Sequence, residues 1–237
     1  MHIIAHVPAR REWHALLELL PDLPPATEVP VGEYTTTRLA PPHDDVTVVL
    51  LRGGVGKISA AASAQYAILT WRPALYTVLG TAGGVDETLE ELDLVIATRT
   101  IIHDLSPQLS PATSTLVADH TIELPRLWDE VALPFPVRHG VVVTGDVDVT
   151  HANVGSLRER HSATIADWES GAVAKVCAMN ATPCLIVRGV TDRPSAPPAE
   201  QYERFRANIP HVMARTWQVV LACGAHYAQS HAPDTAA

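Results

Sequence analysis

The stretch from Thr164 to Pro194 limits the possible folds more than any other part of the chain. It opens with a short extended run, Thr164–Ala166, and continues into Ser170–Asn180, where apolar side chains recur at helical spacing. Pro183 prevents that helix from continuing. The following run, Cys184–Val190, is mostly apolar, as is typical of a strand buried on both faces of a parallel sheet. The stretch therefore predicts a strand, a crossover helix and a second strand.

Two carboxylates follow these two strands. Glu169 comes just after the first strand, and Asp192 comes just after the second. Open α/β sheets bind their ligands at the carboxyl ends of the strands. We therefore expect Glu169 and Asp192 to lie at one functional edge.

Strand and helix patterns alternate along the rest of the chain, which indicates an α/β fold with a mostly parallel sheet. Further strands are predicted at His2–Val7, Tyr34–Leu39, Val46–Leu51, Ala74–Leu79, Leu94–Thr98, Thr100–His103, Pro134–Arg138 and Gly140–Thr144. Further helices are predicted at Arg10–Leu20, Lys57–Trp71, His151–His161, Glu200–Ala207 and Pro210–Tyr227. Loops are predicted at Asp22–Val31 and Pro107–Pro111. We expect one domain over residues 1–227 and a frayed tail over residues 228–237.

Composition narrows the possible partners. The chain has 237 residues, 47% of them hydrophobic, which suffices for one sizeable core. A net charge of -9 argues against nucleic acid or an anionic membrane as a partner, but leaves an uncharged nucleoside possible. We find no signal-peptide pattern and no apolar run long enough to span a membrane, so we expect a cytoplasmic protein. Cys177, Cys184 and Cys223 form no C-x-x-C pair, and we expect free thiols.

Two glycine motifs follow predicted strands. The first, Gly53-Gly54-Val55-Gly56, lacks the third glycine of a dinucleotide-binding fingerprint and the Ser or Thr of a P-loop, which favours a tight strand-to-helix turn. The second, Gly80-Thr81-Ala82-Gly83-Gly84, places small residues where backbone N–H groups could approach a ligand closely. A simple turn remains the alternative for the second motif.

The acidic residues also have structural interpretations. Asp192 could pair with Arg193 or cap a helix, Glu169 could favour a helix dipole, and Glu12 could be a surface charge. The 12 histidines show no metal-binding spacing, so neither a metal site nor a cofactor is expected. No G-x-S-x-G nucleophile elbow is present.

The motifs together resemble a known family. The chain is similar to the nucleoside phosphorylase / nucleosidase superfamily and, within it, to the 5'-methylthioadenosine/S-adenosylhomocysteine nucleosidases. The resemblance rests on four blocks: Gly53-Gly54-Val55-Gly56-Lys57; Gly80-Thr81-Ala82-Gly83-Gly84-Val85; Thr144-Gly145-Asp146; and Asp167-Trp168-Glu169-Ser170 with Arg188-Gly189-Val190-Thr191-Asp192. It implies a single-domain three-layer sandwich in which helices flank a central, mostly parallel mixed sheet.

The resemblance also implies a reaction and its residues. The expected reaction is hydrolysis of the N-glycosidic bond of a 5'-modified adenine nucleoside. Asp192 would protonate the departing adenine at N7, and Glu12 would activate water, with Arg188 and Thr81 helping to place it. Glu169 would bind the ribose hydroxyls and Trp168 would pack against the ribose. Ala82, Gly83, Asp148 and Val149 would bracket the base.

Departures from the family pattern keep other functions open. Asp148 stands where the family usually has an aromatic residue, and Trp168 where it usually has methionine, so the base and the 5' group stay undecided. The alternatives are hydrolysis of another purine-like nucleoside such as aminofutalosine, phosphorolysis, or nucleoside binding without catalysis. Phosphorolysis is disfavoured because phosphorylases of this fold carry an arginine just before the second glycine motif, whereas the strand here, Tyr76-Thr77-Val78-Leu79-Gly80, has no cation. A homodimer is expected from the resemblance and from apolar residues, expected to be exposed, around Ile101-Ile102 and on the Ala-rich helix.

Overall fold

The computed structural model describes residues 1–105, 113–194 and 197–231. Its strands are β1 His2–Val7, β2 Thr27–Val29, β3 Gly32–Arg38, β4 Thr47–Arg52, β5 Leu75–Gly84, β6 Leu94–Ile102, β7 Thr121–Glu123, β8 Val137–Thr144, β9 Ile165–Asp167 and β10 Cys184–Asp192. Its helices are α1 Arg10–Glu18, α2 Lys57–Trp71, α3 Thr113–Asp119, α4 Val154–His161, α5 Ser170–Met179 and α6 Pro198–Ser230. The predicted loop Pro107–Pro111 lies outside the described residues.

Strand β1 lies near the middle of one mixed sheet. It pairs in parallel with β4 on one side and with β5 on the other, while β3 and β2 extend the sheet beyond β4 as antiparallel strands. Beyond β5 the pairing closes into a ring, because β10 pairs with both β5 and β6, β6 pairs with β8, β8 with β9, and β9 again with β5. This ring brings the carboxyl ends of β5, β9 and β10 together.

The helices form two layers over the two faces of the sheet. Alternation along β1 shows this directly, because Ile3, Ala5 and Val7 pack with α1 and α6, whereas Ile4 packs with the small residues of α2 and with α5. Alanines and Ser63 on the inner face of α2 let that helix lie close to the strands. The predicted single-domain, three-layer α/β sandwich is therefore confirmed.

Several element boundaries agree with the sequence predictions and several do not. Helix α2 has the predicted bounds, Lys57–Trp71. The predicted pair of strands around residue 99 is one strand, β6, with a register shift between Ala97 and Arg99. Strand β2 lies inside the predicted loop Asp22–Val31, where it pairs with β3. These errors affect short or irregular pairings, which sequence periodicity detects poorly.

The prediction of two separate terminal helices was wrong. Helix α6 runs unbroken from Pro198 to Ser230 with Pro210 in its interior. A proline there removes one hydrogen bond and crowds the preceding turn. Buried side chains on both sides of Pro210, from Ile209 to Met213, hold the helix against the sheet and offset that cost. Within the described residues, no helix is long and apolar enough to cross a bilayer.

Candidate active site

A cavity of about 440 Å³ opens at the carboxyl ends of β5, β9 and β10. Among its walls are nine of the ten residues predicted from the sequence: Glu12, Thr81, Ala82, Gly83, Asp148, Val149, Trp168, Glu169 and Asp192. Arg188, the tenth, lies behind the wall as a fully buried side chain. The fold thus brings the predicted residues to one place, while their individual roles stay predictions.

Glu12 is buried and held by three hydrogen bonds. Its Oε1 accepts the backbone N–H of Thr81 at 2.6 Å and the Thr81 hydroxyl at 2.7 Å, and its Oε2 accepts the N–H of Ala9 at 3.0 Å. The bond to Ala9 also satisfies an N–H at the start of α1. A carboxylate oxygen accepts about two hydrogen bonds, so Oε2 keeps one lone pair for a water molecule.

Arg188 lies behind the cavity wall and organises the side of the cavity that Glu169 lines. Its Nη2 lies 2.8 Å from Asp167 Oδ2 and 3.3 Å from Glu169 Oε2, and its Nε donates to the Ser170 hydroxyl at 3.1 Å. Such a buried guanidinium is costly unless its donors are satisfied. Here three side chains from one segment accept from Nη2 and Nε, and the Thr81 carbonyl accepts from Nη1 at 3.4 Å. Arg188 therefore fixes the Asp167–Ser170 turn and orients Glu169.

Glu169 has a second partner in the first glycine motif. Its Oε1 accepts the N–H of Gly56 at 3.0 Å, at a φ of 85° that favours glycine. Burial, which outweighs the opposing effect of Arg188, raises the pKa of Glu169 to about 7. The motif is a tight strand-to-helix turn, as predicted, and it also positions this carboxylate.

Gly80 allows the side chains of Glu12 and Arg188 to approach the backbone of β5 closely. A Cβ atom there would lie 2.6 Å from Arg188 Nη1 and 2.7 Å from Glu12 Oε1. No real Cβ approaches polar atoms that closely, so any larger residue would displace one of them. The glycine of this motif thus makes room for side chains, whereas the sequence interpretation concerned backbone approach to a ligand.

Asp192 ends β10 with both carboxyl oxygens bonded. Oδ1 accepts the Thr191 hydroxyl at 2.8 Å, and Oδ2 accepts the side-chain amide of Gln201 at 2.7 Å. Burial raises the pKa of Asp192 above its ordinary value, and the negative charges of Glu91 and Asp148 raise it further, against the two hydrogen bonds. Asp192 therefore keeps a proton to a higher pH than a free aspartate does.

Arg193, the proposed structural partner of Asp192, points elsewhere. Its guanidinium lies 3.4 Å from Glu90 and donates to the Glu87 carbonyl at 2.9 Å. The Asp192–Arg193 ion pair considered from the sequence is therefore not formed in the described part of the chain.

The apolar and polar walls include residues that the sequence analysis missed. The additional lining side chains are Val55, Val147, Tyr202 and Phe205, and the additional hydrogen-bonding groups are Ala9 N–H, Asp167, Thr191 and Gln201. Gln201 and Phe205 are four residues apart and share one face of α6. That spacing was present within the predicted helix Glu200–Ala207, but the sequence does not show that this face meets the end of β10.

The charged side chains that line this cavity are carboxylates. In the described ranges no three His, Cys, Asp or Glu side chains are grouped so as to hold a metal ion. The cavity offers an acid whose pKa is raised, a fixed carboxylate with one free lone pair and a second buried carboxylate. Such a set suits acid-assisted cleavage of a glycosidic bond.

Comparison with known proteins identifies the family. The sequence model of the Phosphorylase superfamily matches residues 2–224. The chain belongs to this superfamily. It is 32% identical over 163 residues, covering 63% of this chain and 70% of the relative, to a 5'-methylthioadenosine/S-adenosylhomocysteine nucleosidase of Bacillus pumilus. The resemblance inferred from the four motifs is thereby confirmed.

Solved structures of the phosphorylase superfamily have the same fold. The 5'-methylthioadenosine/S-adenosylhomocysteine nucleosidase of Campylobacter jejuni superimposes with a TM-score of 0.76 at 25% identity, covering 94% of this chain and 98% of that one. A futalosine hydrolase of Helicobacter pylori gives a TM-score of 0.77 at 18% identity over 97% of this chain and 98% of that one. At that identity the second likeness concerns the fold alone.

Proposed function

We propose that this protein hydrolyses the N-glycosidic bond of a 5'-modified adenine nucleoside of the methylthioadenosine or adenosylhomocysteine type, releasing adenine and a ribose derivative. One observation carries the proposal: Asp192, whose pKa is raised, and Glu12, with one free carboxylate lone pair, line the same cavity. A general acid for the base and a general base for water are the two groups that such a hydrolysis requires. Similarity to nucleosidases supports the same conclusion.

The proposed steps follow from the positions of these groups. Asp192 donates its proton to N7 of adenine while the C1'–N9 bond breaks, so that the base leaves as a neutral molecule. The sugar gains oxocarbenium character, and the carboxylates of the cavity favour its positive charge. Water held at Glu12 Oε2 bonds to C1' and transfers a proton to Glu12. Glu169, fixed by Arg188 and Gly56, binds the ribose hydroxyls.

The charges of the cavity favour water over phosphate as the nucleophile. Five carboxyl groups line it, of which Asp192 acts in its protonated form: Glu12, Asp148, Asp167, Glu169 and Asp192. No lysine, arginine or histidine side chain is among the described lining residues, and Arg188 behind them already pairs with Asp167 and Glu169. A phosphate dianion would meet repulsion from the carboxylates without a free cation to offset it.

The expected result is therefore adenine release that does not depend on phosphate. Purified protein should release adenine from 5'-methylthioadenosine in phosphate-free buffer, at a rate that added phosphate leaves unchanged. The measurement is adenine release with and without phosphate, with adenosine as the substrate that lacks the 5'-thio group. A requirement for phosphate would contradict the proposal.

We also propose a symmetric homodimer, although part of the sequence argument for it was wrong. Ile101 and Ile102, expected to be exposed, are each only 6% exposed because they pack inside the fold. Among the large apolar residues that are exposed are Val55 (50%), which lines the cavity, and Ile58 (85%), on the first turn of α2. A second copy covering them would bury apolar area close to the cavity, and two-fold dimers are the commonest assemblies.

Replacing Ile58 by aspartate is expected to convert the dimer into a monomer, because a charge would then be buried at the interface. Light scattering at micromolar concentration measures the mass directly. Leu19→Asp, at the end of α1 in the opposite helix layer, is the matched control and should leave the dimer intact. A monomeric wild-type protein would contradict the assembly proposal.

A further inference from the structure

Gln201 lines the cavity and donates hydrogen bonds from its side-chain amide. Its side-chain Nε2 donates to Asp192 Oδ2 at 2.7 Å and to the carbonyl oxygen of Val149 at 3.1 Å. Both N–H bonds of the amide group are thus used, and both acceptors line the cavity where a base would lie.

The proposed reaction determines what Gln201 would contact. A purine protonated at N7 by Asp192 carries its C6 substituent immediately beside N7 on the same edge. When N7 faces Asp192, an amide nitrogen at hydrogen-bond distance from that carboxyl can reach the C6 substituent. Gln201 presents N–H donors at that point.

A 6-oxo group and a 6-amino group make different demands on this amide. A 6-oxo group accepts hydrogen bonds, so one N–H of the Gln201 amide can donate to it while the other N–H keeps its bond to Asp192. A 6-amino group is a donor and meets a donor. It gains no hydrogen bond from the Gln201 amide unless that amide turns over and presents Oε1.

We infer that the same site hydrolyses 6-oxopurine nucleosides as a further activity, with Gln201 as the hydrogen-bond donor to the 6-oxo group. The inference rests on the proposed function, since it uses the same acid and water. The C1'–N9 bond breaks, the Asp192 proton goes to N7, and the water oxygen bonds to C1' while Glu12 takes its proton. The base leaves as neutral hypoxanthine.

The test compares two nucleosides that differ only at C6, 5'-methylthioadenosine and 5'-methylthioinosine. The wild-type protein should hydrolyse both, with kcat/KM values within about tenfold of each other. Gln201→Leu removes the donor and should lower the kcat/KM ratio of the 6-oxo to the 6-amino substrate by about tenfold or more. Gln201→Glu offers only acceptors when ionised and should change the ratio in the same direction.

The ratio of kcat/KM for the 6-oxo substrate to that for the 6-amino substrate, measured within each variant, reports recognition of the base. A displaced Asp192 or a less stable helix would lower kcat/KM for both substrates by the same factor and leave this ratio unchanged. Glu203→Gln, at an exposed position of the same helix, is the matched control and should leave the ratio unchanged. Release of adenine but not hypoxanthine by wild type, or an equal fall for both substrates in Gln201→Leu, would overturn the inference and leave the proposed function standing. Hydrolysis of neither nucleoside would contradict both.

Discussion

Replacing Asp192 by asparagine is expected to lower the single-turnover rate of adenine release by a factor near the upper part of about 10²–10⁴. Asparagine can still donate a hydrogen bond to N7, so the base still binds. It cannot transfer a proton, so adenine would have to leave as an anion. The lost transition-state stabilisation corresponds to about 3–5 kcal/mol.

Melting temperature, measured on the same variant, separates catalysis from structure. Asparagine offers one acceptor oxygen, whereas Asp192 accepts from both Thr191 and Gln201, so the loss of one hydrogen bond should cost only about 0.5–1.5 kcal/mol of stability. Asp129→Asn, outside the cavity lining, serves as the control. A variant that melts several degrees lower yet cleaves within about tenfold of wild type would mean that Asp192 is structural.

The pH profile gives a second readout for the same residue. Asp192 must be protonated to act, and burial raises its pKa, so the active form persists to a higher pH than an ordinary aspartate would allow. The value of kcat/KM should therefore fall as pH rises through the pKa of Asp192. The residual activity of Asp192→Asn should lack this dependence.

Replacing Glu12 by glutamine is expected to reduce kcat by about 10²–10⁴ while leaving substrate affinity nearly unchanged. The amide removes the base that takes the proton from water but retains the size of the side chain. If its oxygen keeps the two Thr81 bonds, its NH₂ group faces the N–H of Ala9, and the start of α1 loses one hydrogen bond. A small loss of stability should thus accompany a large loss of rate.

Single-turnover rates and substrate dissociation constants measured together test this expectation. Thr81→Val retains the backbone N–H to Glu12 and removes only the hydroxyl, so it should cost less than Glu12→Gln. A wild-type rate in Glu12→Gln would remove Glu12 from the mechanism and leave it only the structural role at the start of α1.

The fold was predictable wherever local pattern and tertiary packing agree. The Ala-rich run Lys57–Trp71 has helical spacing, a proline after it and a sheet face to cover, and its bounds were predicted correctly. Pro210 led to the wrong prediction of two helices, because a proline in a helix interior destabilises the helix locally. The packing of Ile209 and Met213, which offsets this destabilisation, is present only in the folded chain. Strand β2 was missed since its three residues have mostly exposed side chains and pair only through β3.

The site was predictable where a motif follows a strand. Glu169, Thr81 and Asp192 come directly after or at the end of strands, and the ring of strands brings those ends together. Gln201 carries no motif and comes to Asp192 only because α6 begins beside the end of β10. The burial of Ile101 could not be predicted from the sequence either, because Val143 and its neighbours, which pack against Ile101, come from other elements.

The most direct test of the proposed hydrolysis follows the fate of C1' itself. Wild-type protein is incubated with 5'-methylthioadenosine labelled with ¹³C at C1', with phosphate present in excess, and the product is examined by NMR. The mechanism predicts one free adenine for each free 5-methylthioribose, with a C1 signal that shows no coupling to phosphorus. A C1 signal coupled to ³¹P, or an intact C1'–N9 bond after prolonged incubation, would contradict it.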